Sequence, residues 1–355
     1  MNFASDNTVG ASEAILKAVV AANEGESPAY GKDRWSARAA QLLREAFDRD
    51  CTCFLVNTGT AANALALAAI CPPFGAIFCH TESHITEDEC GAPEMFTGGA
   101  KLIGISGHSG KIAPAELKAV IAQYPRGVDK QVQPAALSLS QATESGTIYS
   151  CDELALLAAL AHDAGLMVHM DGARFANAIV GLKAIPAEMS WKAGIDVLSF
   201  GATKNGALGC EAVIFFDPAK GESMPYLRKR SGHTLSKGRF LGAQMTAYLE
   251  NEHWLDLAAV ANAHARDLAH GLAKIPGVRM PWPCEANEIF VILPRSTDAA
   301  LRAGGAVYYP WKSRDFGPRC EPPARDEVFV RLVTSFATKP SDIEHFLVIA
   351  AGAGR

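Results

Sequence analysis

A lysine follows a predicted core strand and is the residue from which a chemical function can first be argued. The apolar run 195–200 ends in small residues before Lys204, and apolar sequence resumes at 212–216. Lysine is usually solvated, so one interpretation is a side chain that extends to water at the edge of a sheet. The other is an amine in a cleft, with a lowered pKa, that forms a Schiff base. This stretch alone leaves both open.

A second candidate lies at the turn Thr58-Gly59-Thr60, between a predicted strand at 51–56 and a predicted helix at 61–70. Backbone N–H groups and the helix dipole at such a turn favour a phosphate. Simple capping of the helix by Thr60 is the alternative, and it is favoured if this motif is considered alone.

His84 and Asp171 each follow a predicted strand, at 76–79 and 166–170. His84 is either structural or stacks on a flat ring. Asp171 either forms an ion pair with Arg174, three residues on, or holds the proton of a pyridinium nitrogen. In the latter case Arg174 is free to bind a carboxylate in bidentate fashion.

These four positions are mutually consistent because ligands of parallel α/β sheets bind at the carboxyl ends of the strands. A phosphate turn, a ring-stacking histidine, a pyridinium partner and an amine, in that chain order, describe a pocket for pyridoxal 5'-phosphate (PLP). The combination is much more specific than any of its parts.

The elements that must position these residues alternate between short apolar strands and amphipathic helices, which predicts a mainly parallel α/β sheet covered on both faces. From about Trp254 the pattern changes to a long helix, Pro-rich segments and two strands. We predict an N-terminal arm and helix over residues 1–24, packed on a small domain. A large PLP-binding α/β domain is predicted over 25–250 and the small α+β domain over 251–355.

Composition restricts the class of protein. The 355 residues are 49% hydrophobic and 20% charged, with a net charge of -5, as in ordinary globular proteins. The acidic balance argues against nucleic acid or a membrane as partner, and charged residues near the start predict no secretory signal. The nine cysteines form no C-x-x-C and no zinc-type cluster, so we predict reduced thiols, a cytoplasmic location and no metal site.

The chain resembles the fold-type I PLP-dependent enzymes, and more closely the low-specificity L-threonine aldolases of the β-eliminating lyase group. The matching segments run along nearly the whole sequence: 3–7 (FASDN), 30–33 (YGKD), 57–63 (NTGTAAN), 83–84 (SH) with Glu89, 169–174 (HMDGAR), 203–204 (TK), 228–230 (RKR) and 331–335 (RLVTS).

This resemblance implies a role for each matching residue. Lys204 would carry the cofactor as a Schiff base, Asp171 would pair with its ring nitrogen, and His84 would stack on the ring. The residues implied in the phosphate site are Gly59, Thr60, Thr203 and, from a neighbouring subunit of a homo-oligomer (dimer or tetramer), Lys229, with Lys237 a weaker candidate. The residues implied in binding the substrate α-carboxylate are Ser5, Arg174 and Arg331.

One segment departs from the family pattern. Many members have a histidine in a Thr-His-Asn-Gly segment, whereas this chain has Glu144 within 141–146 (QATESG). Glu144 either anchors a water molecule or orients His84, or it acts as a base for the substrate β-hydroxyl, directly or through water. A free carboxylate is a weak base near neutral pH unless burial raises its pKa, so we favour the water-mediated role. The departure suggests a subgroup with another β-substituent preference, such as the aromatic group of phenylserine.

The resemblance implies retro-aldol cleavage of L-threonine, L-allo-threonine or another L-β-hydroxy-α-amino acid to glycine and an aldehyde, with His84 or Glu144 taking the hydroxyl proton. The alternatives are another PLP activity, namely β-elimination, racemisation or transamination, or a non-catalytic sensor or scaffold. No G-x-G-x-x-G follows a predicted strand, so a dinucleotide-binding enzyme ranks last. Four aromatic residues are candidates for the aldehyde pocket: Tyr30, Tyr308, Tyr309 and Trp311.

Overall fold

A seven-stranded sheet forms the centre of the protein. The structure is a computed structural model and describes residues 1–314, 316, 317 and 320–353. The strands are Thr52–Val56 (β1), Gly75–His80 (β2), Lys101–Ile105 (β3), Gln133–Ser140 (β4), Met167–Gly172 (β5), Val197–Gly201 (β6) and Glu211–Phe215 (β7). Their order is β1-β7-β6-β5-β4-β2-β3, and only β7 runs antiparallel to its neighbours. The predicted mainly parallel sheet is therefore confirmed.

Helices cover both faces of this sheet, and local sequence fixes where several of them begin. They are Glu13–Ala22 (α1), Arg34–Phe47 (α2), Gly59–Ile70 (α3), His84–Glu87 (α4), Ala92–Thr97 (α5), Pro114–Ile121 (α6), Cys151–Asp163 (α7), Phe175–Leu182 (α8), Met224–Arg230 (α9) and Arg239–Leu249 (α10). Ser12 caps α1, and Ser150 with Glu153 forms a capping box at α7. Such caps satisfy N–H groups that have no partner within the helix.

A three-stranded antiparallel sheet follows in the C-terminal part of the chain. Its elements are His253–Leu272 (α11), Glu288–Pro294 (β8), Arg295–Ala303 (α12), Tyr309–Pro310 (β9), Glu327–Val333 (β10) and Pro340–Gly352 (α13), with β10 between β8 and β9. Phe3 is fully buried in this sheet's apolar cluster, and its backbone pairs with Val307 and Val333. The N-terminal arm thus lies against the small sheet, which brings Ser5 and Asp6 towards the strand ends of the large one.

The sequence located the strands and helices that it predicted to within a few residues. The strand expected at 51–56 begins at Thr52, and the long helix expected from about Trp254 spans His253–Leu272. Within the described residues, no helix combines the length and the apolar character that crossing a membrane requires.

Candidate active site

A cavity of about 470 Å³ lies at the carboxyl ends of the large sheet's strands, bounded on one side by the small sheet. Five strands end at this edge of the sheet: β1, β2, β4, β5 and β6. β1 ends there with the parallel strands because β1 and β6 both run antiparallel to β7. Ten residues predicted from the sequence line this one cavity: Ser5, Gly59, Thr60, His84, Glu144, Asp171, Arg174, Thr203, Lys204 and Arg331. Lys229 and Lys237 do not line it.

The predicted phosphate turn is the N-terminus of α3. Thr58 is the N-cap residue, and its hydroxyl accepts a hydrogen bond from the N–H of Ala61 at 3.1 Å. Thr58, and not Thr60, therefore caps the helix. The simpler interpretation of the sequence had assigned this capping to Thr60. Gly59 and Thr60 face the cavity at the positive end of a helix of 12 residues, and a Cβ on Gly59 would meet nothing within 4 Å. This end of the cavity therefore suits an anion.

Asp171 belongs to a hydrogen-bonded chain that runs to His84. Asn63, on α3, donates from its Nδ2 to Asp171 Oδ2 and to Glu89 Oε1, both at 2.8 Å. Glu89 Oε1 in turn lies 2.7 Å from His84 Nδ1. The hydrogen bond to the buried Glu89 raises the pKa of His84 although burial opposes it. The chain fixes the orientation of the imidazole and leaves Nε2 of the neutral ring as an acceptor.

His84, Glu89 and Asp171 bring one potential ligand atom each within 4.8 Å of one another, a spacing that a metal ion also accepts. The contacts between His84 and Glu89 and between Asn63 and both carboxylates account for this arrangement without an ion.

Glu144 lies directly beside His84. Its Oε1 accepts hydrogen bonds from the backbone N–H of His84 at 2.8 Å and from the Ser140 hydroxyl at 2.9 Å. Its Oε2 is inaccessible to solvent and has no hydrogen-bond partner. Burial, with a smaller effect from Asp171, raises the pKa of Glu144 to about 7. The condition under which this carboxylate would be an effective base near neutral pH is therefore met.

Lys204 lies on a short turn that is held from both sides. Its neighbour Asn205 donates from Nδ2 to the Tyr248 hydroxyl at 2.9 Å and to the Trp254 carbonyl at 2.8 Å. On the other side, the buried Glu211 accepts from the N–H of Ala202 at 2.8 Å. This anchoring presents the Lys204 side chain to the cavity and not to the surface.

Glu211 is a buried carboxylic acid that lines the same cavity and also hydrogen-bonds to Thr203. Burial raises the pKa of Glu211 to about 7, although Thr203, Ala202 and Lys204 pull it downwards. The folded state therefore binds a proton more tightly than the unfolded chain does. Stability from this group is present at low pH and is lost as pH rises from about 4.5 to about 7.

Replacing Glu211 with glutamine is expected to remove this loss. In the cofactor-free protein, the free energy of unfolding of Glu211→Gln minus that of wild type should increase from pH 5 to pH 8, by at most about 3 kcal/mol. Urea unfolding at the two pH values measures the difference. The control is Glu222→Gln, since Glu222 is exposed. A stability difference between Glu211→Gln and wild type that is the same at pH 5 and pH 8 would show that Glu211 does not titrate in this range.

Two arginines lie at the border between the cavity and the small sheet. Arg174 is buried and bound to Asp6, with Nε–Oδ2 at 2.8 Å and Nη2–Oδ1 at 3.1 Å. Arg331, on β10, stacks over the Trp311 ring with its guanidinium carbon 4.2 Å from the centroid. Both guanidinium groups border the cavity near Ser5, so this region can receive a carboxylate by charge-assisted hydrogen bonds.

Several buried polar atoms of the cavity wall have no hydrogen-bond partner. Among the described residues these include Asn57 Oδ1, Asn63 Oδ1, Glu144 Oε2 and Arg331 Nε. Because buried polar groups in proteins are nearly always paired, such atoms around one cavity are typical of a site built for a polar ligand. The anion-binding end at Gly59 and Thr60, the carboxylate of Asp171 and the amine of Lys204 fit the phosphate, the ring nitrogen and the aldehyde of PLP, respectively.

Of the four aromatic residues suggested for an aldehyde pocket, only Trp311 lines this cavity. Tyr308 is buried in the small sheet's core with its hydroxyl on Asp298, and Tyr309 is exposed on β9. Tyr30 lines a separate cavity of about 330 Å³, where the Lys229 ammonium lies 5.1 Å from its ring centroid. A contribution of Lys229 to the first cavity would therefore have to come from another subunit.

Comparison with known proteins agrees with this geometry. The family model described as Beta-eliminating lyase matches residues 2–295. The chain belongs to the beta-eliminating lyase family. A low specificity L-threonine aldolase from Pseudomonas aeruginosa is 43% identical over 312 residues, which cover 86% of this chain and 88% of that protein.

Solved structures of similar fold extend this result. A threonine aldolase from Leishmania major superposes with a TM-score of 0.91 at 28% identity, covering 100% of this chain and 99% of that one. A serine palmitoyltransferase from Sphingomonas wittichii, at 15% identity, shares the fold with a TM-score of 0.72 over 100% of this chain and 87% of its own. The predicted fold-type I architecture of this beta-eliminating lyase family member is thus confirmed.

Besides Asp88 and Glu89, three acidic residues of the site carried no individual role in the sequence interpretation: Asp6, Glu211 and Glu288. Each is buried and either lies in the cavity wall or contacts an arginine there. Asn63 had a visible signal, since it is the only polar residue in the apolar stretch 61–70. Glu211 also interrupts an apolar strand, whereas nothing in the local sequence separates Glu288 from an ordinary strand residue.

Proposed function

We propose that this protein is a PLP-dependent aldolase that cleaves L-β-hydroxy-α-amino acids to glycine and an aldehyde. The observation that carries the proposal is the convergence on one cavity of Lys204, the hydrogen-bonded chain from Asp171 to His84, and the arginine pair Arg174 and Arg331. The names of the similar proteins support the same reaction.

PLP is the cofactor, and its pocket residues take separate tasks. Lys204 would hold it covalently, Gly59, Thr60 and Thr203 would bind its phosphate, and His84 would stack on its ring. Asp171 would favour the protonated ring nitrogen, because a carboxylate beside that nitrogen stabilises the protonated form. The bound cofactor supplies an electron sink for the negative charge that develops at the substrate Cα.

The substrate is oriented by its carboxylate. Arg174 and Arg331, with Ser5 beside them, bind the α-carboxylate and so fix the torsion about the bond between nitrogen and Cα. Fixing this torsion would hold the Cα–Cβ bond in the orientation in which it can break. A fixed orientation contributes to the rate by reducing the entropy lost in the transition state. Fixed guanidinium groups also discriminate against amines that have no carboxylate.

The β-hydroxyl proton must leave as the aldehyde forms, and two adjacent groups are available to take it. His84 contacts Glu89 through Nδ1, so Nε2 is the nitrogen available to the substrate, and Glu144 Oε2 has no hydrogen-bond partner among the described residues. We favour Glu144 as the base, in line with its raised pKa. Both groups accept a proton only when neutral (His84) or ionised (Glu144), so activity should rise as pH increases through about 7.

Substitution at each position separates these two bases. Glu144→Gln preserves an acceptor for His84 N–H and Ser140 but cannot take a proton. If Glu144 is the base, kcat/KM for L-threonine should fall about 10²-fold to 10⁴-fold and the acidic limb of the pH profile should disappear. The profile is compared with those of His84→Asn and Ser140→Ala, of which the second removes a hydrogen-bond donor only. An unchanged profile in Glu144→Gln, with the limb lost in His84→Asn, would assign the proton to His84.

The activity itself is tested by aldehyde release from L-threonine, L-allo-threonine and phenylserine, measured side by side with glycine formation. Equal amounts of aldehyde and glycine support the aldolase. Ammonia with 2-oxobutanoate from the threonines, or with phenylpyruvate from phenylserine, would indicate β-elimination. A D-configured α-carbon would indicate racemisation, and a β-hydroxy keto acid formed without ammonia would indicate transamination. Phenylserine as the preferred substrate would agree with Trp311 in the cavity wall and with the replacement of the family histidine by Glu144.

Assembly and location complete the proposal. Since Lys229 lies away from the cavity of its own chain, we propose a homo-oligomer, a dimer or a tetramer, in which Lys229 of one subunit reaches the phosphate site of another. The nine cysteines are unpaired thiols, which suits the reducing cytoplasm. We also propose that the chain divides into an arm at 1–24, a large domain at 25–250 and a small domain at 251–355.

A further inference from the structure

Glu288, a buried carboxylate in addition to Asp6, contacts both arginines of the proposed carboxylate site. Glu288 Oε2 lies 3.0 Å from Arg174 Nη1, and Glu288 Oε1 lies 3.4 Å from Arg331 Nη1. Glu288 is 1% exposed and lines the cavity. It is on β8, where Phe290 pairs with Arg331 of β10, so Glu288 and Arg331 are diagonal neighbours on one face of the small sheet.

The two arginines differ in what else holds them. Arg174 makes two hydrogen bonds to Asp6, which Asn287 also contacts at 3.1 Å, so its position would survive without Glu288. Among the described residues, the contacts of Arg331 besides Glu288 are a 3.5 Å contact with the Ala4 carbonyl and its stacking on Trp311. Arg331 therefore depends on Glu288 for a defined orientation, and its partnerless Nε shows that its hydrogen-bonding capacity is not filled.

The charges of the group also balance. Arg174 and Arg331 contribute two positive charges, and Asp6 and Glu288 contribute two negative ones. Arg174, Asp6 and Glu288 are buried, and the Arg331 side chain is 15% exposed. Burial alone would favour the neutral form of Asp6, but Arg174 holds the pKa of Asp6 below its usual value. Charges this close interact far more strongly than across water, so removing one of the four changes the potential felt by an incoming anion.

We propose that Glu288 is a positioning residue that fixes Arg331 beside Arg174 and cancels their excess charge, so that the site accepts an α-carboxylate by hydrogen-bond geometry and not by charge. This inference rests on the proposed function, because it assumes that the two arginines bind the substrate carboxylate. It assigns Glu288 a role in selectivity, since a neutral site does not retain the simple anions that an exposed arginine pair would bind.

Two substitutions separate charge from position. Glu288→Gln removes the charge, whereas Glu288→Asp keeps the charge but is one methylene too short to reach both arginines. Acetate is the probe, because it carries a carboxylate without the amino group, and its binding is followed by thermal shift at constant ionic strength. Kinetic constants for L-threonine are measured on the same proteins. The matched control is Glu327→Gln, which breaks the pair of Glu327 with Arg279 near the other end of β10.

Glu288→Gln should bind acetate at least about 10-fold more tightly than wild type, whereas Glu288→Asp should stay within about 3-fold. Both variants should lose about 10-fold or more in kcat. The KM of Glu288→Gln should not rise, because the carboxylate is still bound but less well oriented. Glu327→Gln should match wild type in both assays.

Acetate binding that is unchanged in Glu288→Gln, or a higher KM with an unchanged kcat, would overturn the proposal. If Glu288→Gln does not fold, Glu288→Asp decides: a wild-type kcat in that variant refutes the positioning role. Wild-type protein is assayed first. Without aldehyde release from wild type the proposed function fails, whereas an active wild type with indifferent variants overturns the role of Glu288 alone.

Discussion

Replacing Lys204 with alanine is expected to lower kcat/KM for L-threonine by at least about 10³-fold. Lys204 is the one lysine among the described residues lining the cavity of Asp171 and the arginine pair. In the proposed mechanism its removal takes away the covalent attachment of the cofactor. The turn that presents Lys204 to the cavity is held by hydrogen bonds of Asn205 and Glu211, so the substitution should remove the amine without moving the turn.

The experiment has two readouts. Aldehyde release measures the rate, and borohydride reduction followed by peptide mass spectrometry locates the cofactor. In wild type the cofactor mass should appear on the peptide that contains Lys204, and in Lys204→Ala on no peptide. Lys220→Ala, at an exposed position, is the control and should retain wild-type activity. Cleavage of threonine by Lys204→Ala at the wild-type rate would refute the mechanism in which Lys204 carries the cofactor.

The sequence predicted the site to the extent that the site depends on strand ends. Lys204, Asp171, His84 and the turn at Gly59 each follow a strand, and a parallel sheet places those ends at one edge whatever the details of the chain between them. Periodicity was sufficient for this purpose, because the strands are short, apolar and separated by amphipathic helices. The resemblance then supplied the roles of Ser5 and Arg331, which come from the two ends of the chain.

The contacts that tune these groups were not predictable from the sequence. Asp6 and Arg174 are 168 residues apart, and Glu288 reaches Arg174 from the other sheet. No local pattern encodes such pairs, since they depend on how the N-terminal arm and the small sheet pack against the large one. The raised pKa of Glu144 is likewise a result of burial and of the nearby Asp171 charge, both of which appear only in three dimensions.

The second large effect is expected at Asp171. Asp171→Asn preserves size and an acceptor for the Asn63 amide but removes the negative charge, so the ring nitrogen is no longer held protonated. The loss of one preorganised electrostatic partner typically costs about 10²-fold to 10³-fold in kcat, and we expect a loss of this size for aldehyde release. Cofactor affinity should change much less, because the phosphate turn and Lys204 are untouched.

This split between rate and affinity distinguishes an electronic role of Asp171 from a structural one. Asp171 Oδ2 accepts from Asn63 and Asp171 Oδ1 accepts from the N–H of Ala173, and asparagine can accept only one of these two hydrogen bonds. If Asp171 only anchored these groups, the rate and cofactor binding in Asp171→Asn would weaken together and to a similar, small extent. If it were needed mainly for folding, both would be lost together with thermal stability. Asp196→Asn is the matched control, because Asp196 precedes β6 at the opposite edge of the sheet, where it accepts the N–H of Val168 at 2.7 Å. A low kcat with retained cofactor and a normal melting temperature, seen in Asp171→Asn and not in Asp196→Asn, would mean that the charge of Asp171 acts on the reaction itself.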